Sequence, residues 1–191
     1  MKKGLVILGV IFAIILIIAI GIFSWVRGTY NTVVTMDEEV NAAWAQLENV
    51  LQRRYDLIPN LVETVKGYAS HESEVLTRVT EARARVGGAG TPAARMEAEG
   101  ELTSALSRLM VVVENYPNLK ANENFLSLQV QLEGTENRIS VERGRYIAAV
   151  RSFNQYLRQF PTNILSGMFN FKPRETFEAA EGAREAPKVK F

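Results

Sequence analysis

Two hydrophobic patterns divide the chain. From Leu5 to Val26, 22 consecutive positions carry no charged residue and no polar stripe. As a helix this segment is roughly 33 Å long, which matches a hydrocarbon core of about 30 Å. Backbone polar groups inside lipid must pair within the segment, so a single spanning helix is the expected conformer. Beyond Tyr30 the apolar residues fall into steps of three and four: Val40, Trp44, Leu47, Leu51, Ile58, Leu61, Val65, Tyr68, Val75 and Val79. A period of 3.5 is the seam of left-handed helix packing. Arg54 and Glu72 interrupt it.

Breaker residues divide the second region into helices. Pro59 lies inside the first seam, where it removes one donor and predicts a kink. Gly67 to Ser70 is a second weak point, with Ser70 a candidate cap for a helix from His71. A first helix over about 30–68 and a shorter one to about 86 are expected, with one unbroken rod the alternative. Val86 to Pro92, rich in glycine, reads as a loop in which Thr91 caps the next helix and Pro92 opens it. That helix carries Met96, Leu102, Leu106, Leu109 and Val113, and stops at Tyr116-Pro117 because a residue before proline leaves the α region. Asn122 then caps a long helix with a strict seven-residue step, Phe125, Leu132, Ile139, Tyr146, Phe153 and Phe160, ended by Pro161. The expected fold is all-α: an N-terminal transmembrane helix followed by an antiparallel up-and-down four-helix bundle with long first and last helices. Residues 1–4 form a flank, 5–26 the anchor and 27–171 the bundle. Residues 172–191, almost devoid of apolar side chains, form a disordered tail.

A cleaved signal peptide is the rival reading of the anchor. Ala19-Ile20-Gly21 is a weak small-x-small site, but the apolar run exceeds the roughly 7–15 residues of a signal core. Trp25, Arg27 and Tyr30 are the expected membrane-interface residues. Lys2 and Lys3 before the span, against Arg27 alone close after it, favour a cytoplasmic N-terminus and an extracytoplasmic bundle in a single-pass inner-membrane protein.

Charge and composition narrow the chemistry. The 22 basic and 21 acidic residues nearly balance, with none of the basic excess that phosphate backbones require, so nucleic acid is not an expected partner. There is no cysteine and one histidine, His71, which gives thiol or histidine catalysis and metal clusters little material. Di-iron bundles need a Glu three residues before the His, and that position is Tyr68. No enzyme activity, metal or cofactor is expected. Glu81, Arg83, Arg85, Arg95, Glu97, Glu99 and Glu101 read as a solvated helix face.

Specific runs then invite comparison. Arg53-Arg54-Tyr55-Asp56-Leu57-Ile58-Pro59-Asn60-Leu61-Val62 resembles the signature of the LemA family. So do Glu114-Asn115-Tyr116-Pro117-Asn118-Leu119-Lys120, Glu136-Asn137-Arg138-Ile139, Arg143 with Tyr146, and Phe160-Pro161-Thr162-Asn163. The resemblance spans roughly residues 25–171 and departs at Ile147, where the family tends to carry asparagine. It implies a bacterial membrane-anchored helical bundle and, through relatives that help to build magnetosome membranes, a membrane-organising role.

Two constellations stand out. Arg54, Gln129, Glu136 and Arg143 are polar at seam positions, and an unpaired buried charge costs several kcal/mol. The expected arrangement is an interior network in which Glu136 bridges Arg54 and Arg143, completed by Asn137 or Asn60, fixing the register of the helices. Ile164, Leu165, Met168, Phe169 and Phe171 form a short apolar segment after Pro161. It either folds over the end of the bundle or docks onto a neighbouring subunit or the membrane surface. The functional expectation is a self-associating coiled-coil scaffold or adaptor whose partners are the lipid bilayer, further copies of itself, and membrane or envelope proteins. The alternative is a sensor or signal-relay bundle coupled to the anchor.

Overall fold

A computed structural model describes residues 2–175, whose regular elements are all helices, with no strand among them. The elements are α1 (Lys2–Lys66), α2 (Ser73–Gly88), α3 (Pro92–Val113), α4 (Pro117–Lys120), α5 (Glu123–Arg158) and α6 (Thr162–Met168). The expected anchor and first bundle helix are one element, α1, of 65 residues. Its N-terminal part is the segment long and apolar enough to cross a membrane, and it is exposed along its length.

The chain divides into two compact units. One joins the chain up to Asn41 with Ala149–Arg174, and the other is centred on Ala42–Ala148. In the first, Thr29, Val33 and Val40 of α1, Val150, Phe153 and Leu157 of α5, and Leu165 of α6 are buried. The chain after α6 is fastened there by Arg174. Its guanidinium donates to Asp37 Oδ1 at 2.9 and 3.0 Å and to Asn41 Oδ1 at 3.1 Å. Its backbone exchanges two hydrogen bonds with the Asn154 amide at 2.7 and 2.8 Å. Arg174 belongs to the stretch expected as a disordered tail, of which residues 176–191 lie outside the described residues.

The second unit has a continuous apolar core drawn from five helices: Ile58, Leu61 and Val65 of α1, Leu76, Val79 and Val86 of α2, Leu102 and Leu109 of α3, Leu119 of α4, and Phe125 and Leu132 of α5. Within this unit Trp44 meets Tyr146, Arg54 meets Glu136, and Tyr68 meets Asn122. The contacts climb the chain on one side while descending it on the other, so α1 and α5 run antiparallel. Arg85 of α2 pairs with Glu101 of α3 at 3.2 Å across a short turn, and these two helices are antiparallel as well.

The helix boundaries follow the breaker residues, with α1 running on through Pro59 and the break at Gly67–Glu72, and they differ from expectation in three places. α5 ends at Arg158, so Phe160 lies beyond it. Ser70 caps nothing: α2 opens at Ser73 without a side-chain cap. Gly87 and Gly88 belong to α2 rather than to the loop. A Cβ at Gly87 would meet the Tyr55 hydroxyl at 3.0 Å, so glycine lets the aromatic ring approach the helix without being displaced. Thr91 does cap α3, its side chain accepting the Ala94 N–H at 3.2 Å, with Pro92 in the first turn. Thr91→Ala is expected to lower stability by about 1 kcal/mol, read as a shift in the urea midpoint of the detergent-solubilised chain. Asn122 accepts the Phe125 N–H at 3.0 Å and caps α5.

Candidate functional site

The seam positions of three helices place charge inside the second unit. Arg54 comes from α1, where a strict heptad would have an apolar residue, and it is buried. Glu136 and Arg143, seven residues apart on α5, face it from the opposite helix. α3 completes the group with Glu99 and Thr103. Stepping back from Leu102 by three and seven residues reaches Glu99 and Arg95, which therefore share its inward stripe.

Glu99 is the centre of the cluster and is fully buried, with no exposed surface. Arg54 Nη1 donates to Glu99 Oε2 at 3.4 Å and lies 2.8 Å from Glu136 Oε2. Arg54 Nη2 donates to Thr103 Oγ1 at 3.0 Å, and Thr103 in turn donates to the Glu99 carbonyl one turn back. Arg95 pairs with Glu48 at 3.6 Å nearer the surface. Four buried atoms lack a hydrogen-bond partner among the described residues: Glu99 Oε1, Glu136 Oε2, Arg95 Nε and Arg143 Nε. The Arg54–Glu136 contact is therefore an ion pair without hydrogen-bond alignment.

Burial pushes the Glu99 carboxyl above its ordinary range, and the Glu136 charge adds to this. Arg54, Arg95 and Arg143 pull it down without cancelling the cost of desolvation. The folded state thus holds the Glu99 proton more tightly than the unfolded chain. The resulting stabilisation is fully present below the unfolded value of 4.5 and is lost as pH rises through the raised folded value. Accordingly, the stability of the native chain relative to a Glu99→Gln variant is expected to fall as pH is raised from 4.5. Paired urea titrations across pH measure this difference, and a pH-independent gap would contradict it.

The structure brings together Arg54 and Glu136 of the expected network, with Arg143 close enough for its charge to act on Glu99. Asn60 and Asn137 are exposed and do not complete it; Thr103 and Glu99 take that place. Glu99, Arg95 and Arg83 do not lie on the solvated face assigned to them, whereas Glu81, Arg85, Glu97 and Glu101 do. The helical spacing of Glu99 from Leu102 was the available signal. Charge alone masked it.

Arg83 has a separate task on the same α1 turn. Proline at 59 has no N–H, so the Tyr55 carbonyl four residues earlier loses its helical donor. Arg83 Nε donates to that carbonyl at 3.1 Å, and its guanidinium lies 3.8 Å from the centre of the Tyr55 ring. A side chain of α2 thus repairs the gap, and the helix need not break.

In the first unit the apolar segment after Pro161 is divided. Leu165 is buried, and Phe169 and Phe171 lie against Tyr30 with ring centres 5.1 and 5.6 Å apart. Ile164 and Met168 are exposed. Trp25 and Arg27 are exposed on α1 at the end of the apolar run. His71 is exposed, and among the described residues no group of three or more His, Asp or Glu side chains is placed to hold a metal ion.

A family model described as the LemA family matches residues 43–191. Magnetosome protein MamQ 2 of Paramagnetospirillum magneticum is 29% identical, the match covering 78% of this chain and 64% of that protein. Magnetosome protein MamQ of Magnetospirillum gryphiswaldense is 26% identical over the same shares. Protein LemA of Metamycoplasma hominis is 24% identical, over 89% of this chain and 78% of its own length. The matched region thus spans under two thirds of the magnetosome proteins. None of these descriptions denotes an enzyme.

Proposed function

The chain belongs to the LemA family, and from that premise we propose that it is a non-enzymatic, single-pass membrane protein that acts as a scaffold or adaptor. The observation that carries this reading is α1 itself. One helix, Lys2–Lys66, bears a fully apolar exposed stretch followed by Leu47, Leu51, Ile58 and Leu61, which have no exposed surface. A single helix therefore joins a lipid-matched segment to a packed helical body. In this reading the body is an up-and-down four-helix bundle of α1, α2, α3 and α5, supported by the antiparallel contacts of α1 with α5 and of α2 with α3. The buried cluster holds α1, α3 and α5 in one register, since a slip would separate Arg54 from Glu99 and Glu136. The bundle stands outside the inner membrane, associates with copies of itself and presents its helical sides to membrane or envelope proteins. Kinship with magnetosome proteins supports a membrane-organising role.

Crosslinking in native membranes followed by affinity capture tests this. The expected result is a ladder of self-crosslinked species with stoichiometric membrane partners. Capture of the monomer alone, with no enriched protein, would contradict it. A second reading, a signal-relaying bundle, is favoured by one feature: the buried Glu99 oxygen without a partner, which is a point where protonation or a solute would alter packing. In that case the captured particle is small and its unfolding midpoint responds to the stimulus.

A further inference from the structure

We infer that Phe160 and the outer face of α6 form a second membrane contact, seated in the headgroup layer of the bilayer that α1 crosses; this rests on reading residues 5–26 as the anchor. α6 is two-faced. Thr162, Leu165 and Ser166 are buried in the first unit, while Ile164 and Met168, one turn apart, are 54% and 72% exposed. Phe160, four residues before Ile164 and two past the end of α5, is 80% exposed, whereas Phe125, Tyr146 and Phe153, which precede it at multiples of seven residues within α5, are buried. Aliphatic and aromatic side chains gathered in this way on an outer face mark a contact with something apolar.

The position along α1 identifies the occupant. Tyr30 lies four residues past Val26, about 6 Å along the helix axis. The Phe169 ring packs on it at 5.1 Å and Phe171 at 5.6 Å, so the end of α6 is held at that level. Thr29, one residue closer to the apolar run, is already buried, which brings the packed body to within one turn of the span. Interfacial helices settle at the boundary between headgroups and acyl chains, and the end of α6, held beside Tyr30 about 6 Å beyond the apolar run, is within reach of that layer. Arg27, Arg158 and Lys172 are exposed on the same unit, and cations there suit anionic headgroups. Seven helical residues would bind a membrane weakly alone, but α1 supplies the tether, so no separate association cost arises.

The chain has no cysteine, so single labelled cysteines test the inference in the full-length protein. Met168→Cys, Ile164→Cys, Ile15→Cys and Val111→Cys are each coupled to a fluorophore. Each is reconstituted in phosphatidylcholine vesicles containing phosphatidylglycerol, with lipid-borne quenchers at shallow or deep positions, and its helicity is checked by circular dichroism. Labels at 164 and 168 are expected to be quenched by the shallow probe at least about threefold more than the label at 111, and the label at 15 by the deep probe. If 15 is quenched while 164 and 168 behave like 111, the inference fails and the anchor stands. If 15 is not quenched, both fail. Self-quenching at 168 that grows with protein density, without lipid quenching, would assign this face to a second copy and overturn the proposal.

Discussion

Replacing Arg54 with alanine is expected to be among the most damaging single changes in the bundle, lowering stability by about 3–5 kcal/mol at neutral pH. Arg54 is the hydrogen-bond partner of Glu99 Oε2, and Glu99 Oε1 has none. Without the guanidinium a carboxyl with no exposed surface must either stay charged and unpaired or take up a proton. The second route becomes easier in acid, so the loss should shrink as pH is lowered towards 4.5. Urea unfolding of the detergent-solubilised chain at several pH values reads both parts. The charge-balanced pair Arg54→Leu with Glu99→Leu is expected to behave differently and remain folded, because apolar replacements of a buried ion pair are often neutral or stabilising. If Arg54→Ala were as stable as the native chain at neutral pH, Arg54 would not be the group compensating Glu99.

The second large effect is expected at Arg83. Arg83→Met keeps most of the alkyl stem but removes the donor to the Tyr55 carbonyl and the cation over the ring. The expected cost is about 1–3 kcal/mol, the range for a buried acceptor left without a partner. Proline provides the control. Pro59→Ala restores a backbone N–H to the position that serves Tyr55, so Arg83→Met should cost less in that background. A double-mutant cycle isolates this coupling, expected at roughly 1 kcal/mol. Equal costs in the two backgrounds would mean that Arg83 acts only through its stacking on the ring. The spacing of Tyr55 and Pro59 within the Arg-Tyr-Asp-Leu-Ile-Pro-Asn run thereby has a physical reason: the proline frees the carbonyl that a second helix then holds.

Periodicity carried most of the fold. The heptad positions from Val40 to Val65 and from Phe125 to Leu157 alternate in steps that only helices bury on one side, and the structure buries nearly all of them. Loop chemistry at Thr91-Pro92 and Asn122 is local and was legible for that reason. What sequence did not disclose depends on pairing between helices. Pro59 reads as a kink, and nothing local to α1 tells that a donor from α2 takes the carbonyl it frees. Glu99 carries a charge that suggests solvent, and only its helical offset from Leu102 places it inward. Phe160 keeps the seven-residue step and is still exposed, because α5 ends at Arg158 and the helical repeat no longer sets the direction of a side chain in the turn that follows.

The claim beneath all of this is that one helix joins a lipid-embedded segment to a separately packed helical body. Alkaline extraction of membranes tests it directly, with the full chain compared against a chain beginning at residue 28. The full chain is expected to remain in the membrane pellet uncleaved, and the shortened one to appear in the supernatant with its helicity retained. Release of the intact full-length chain at alkaline pH would contradict the account.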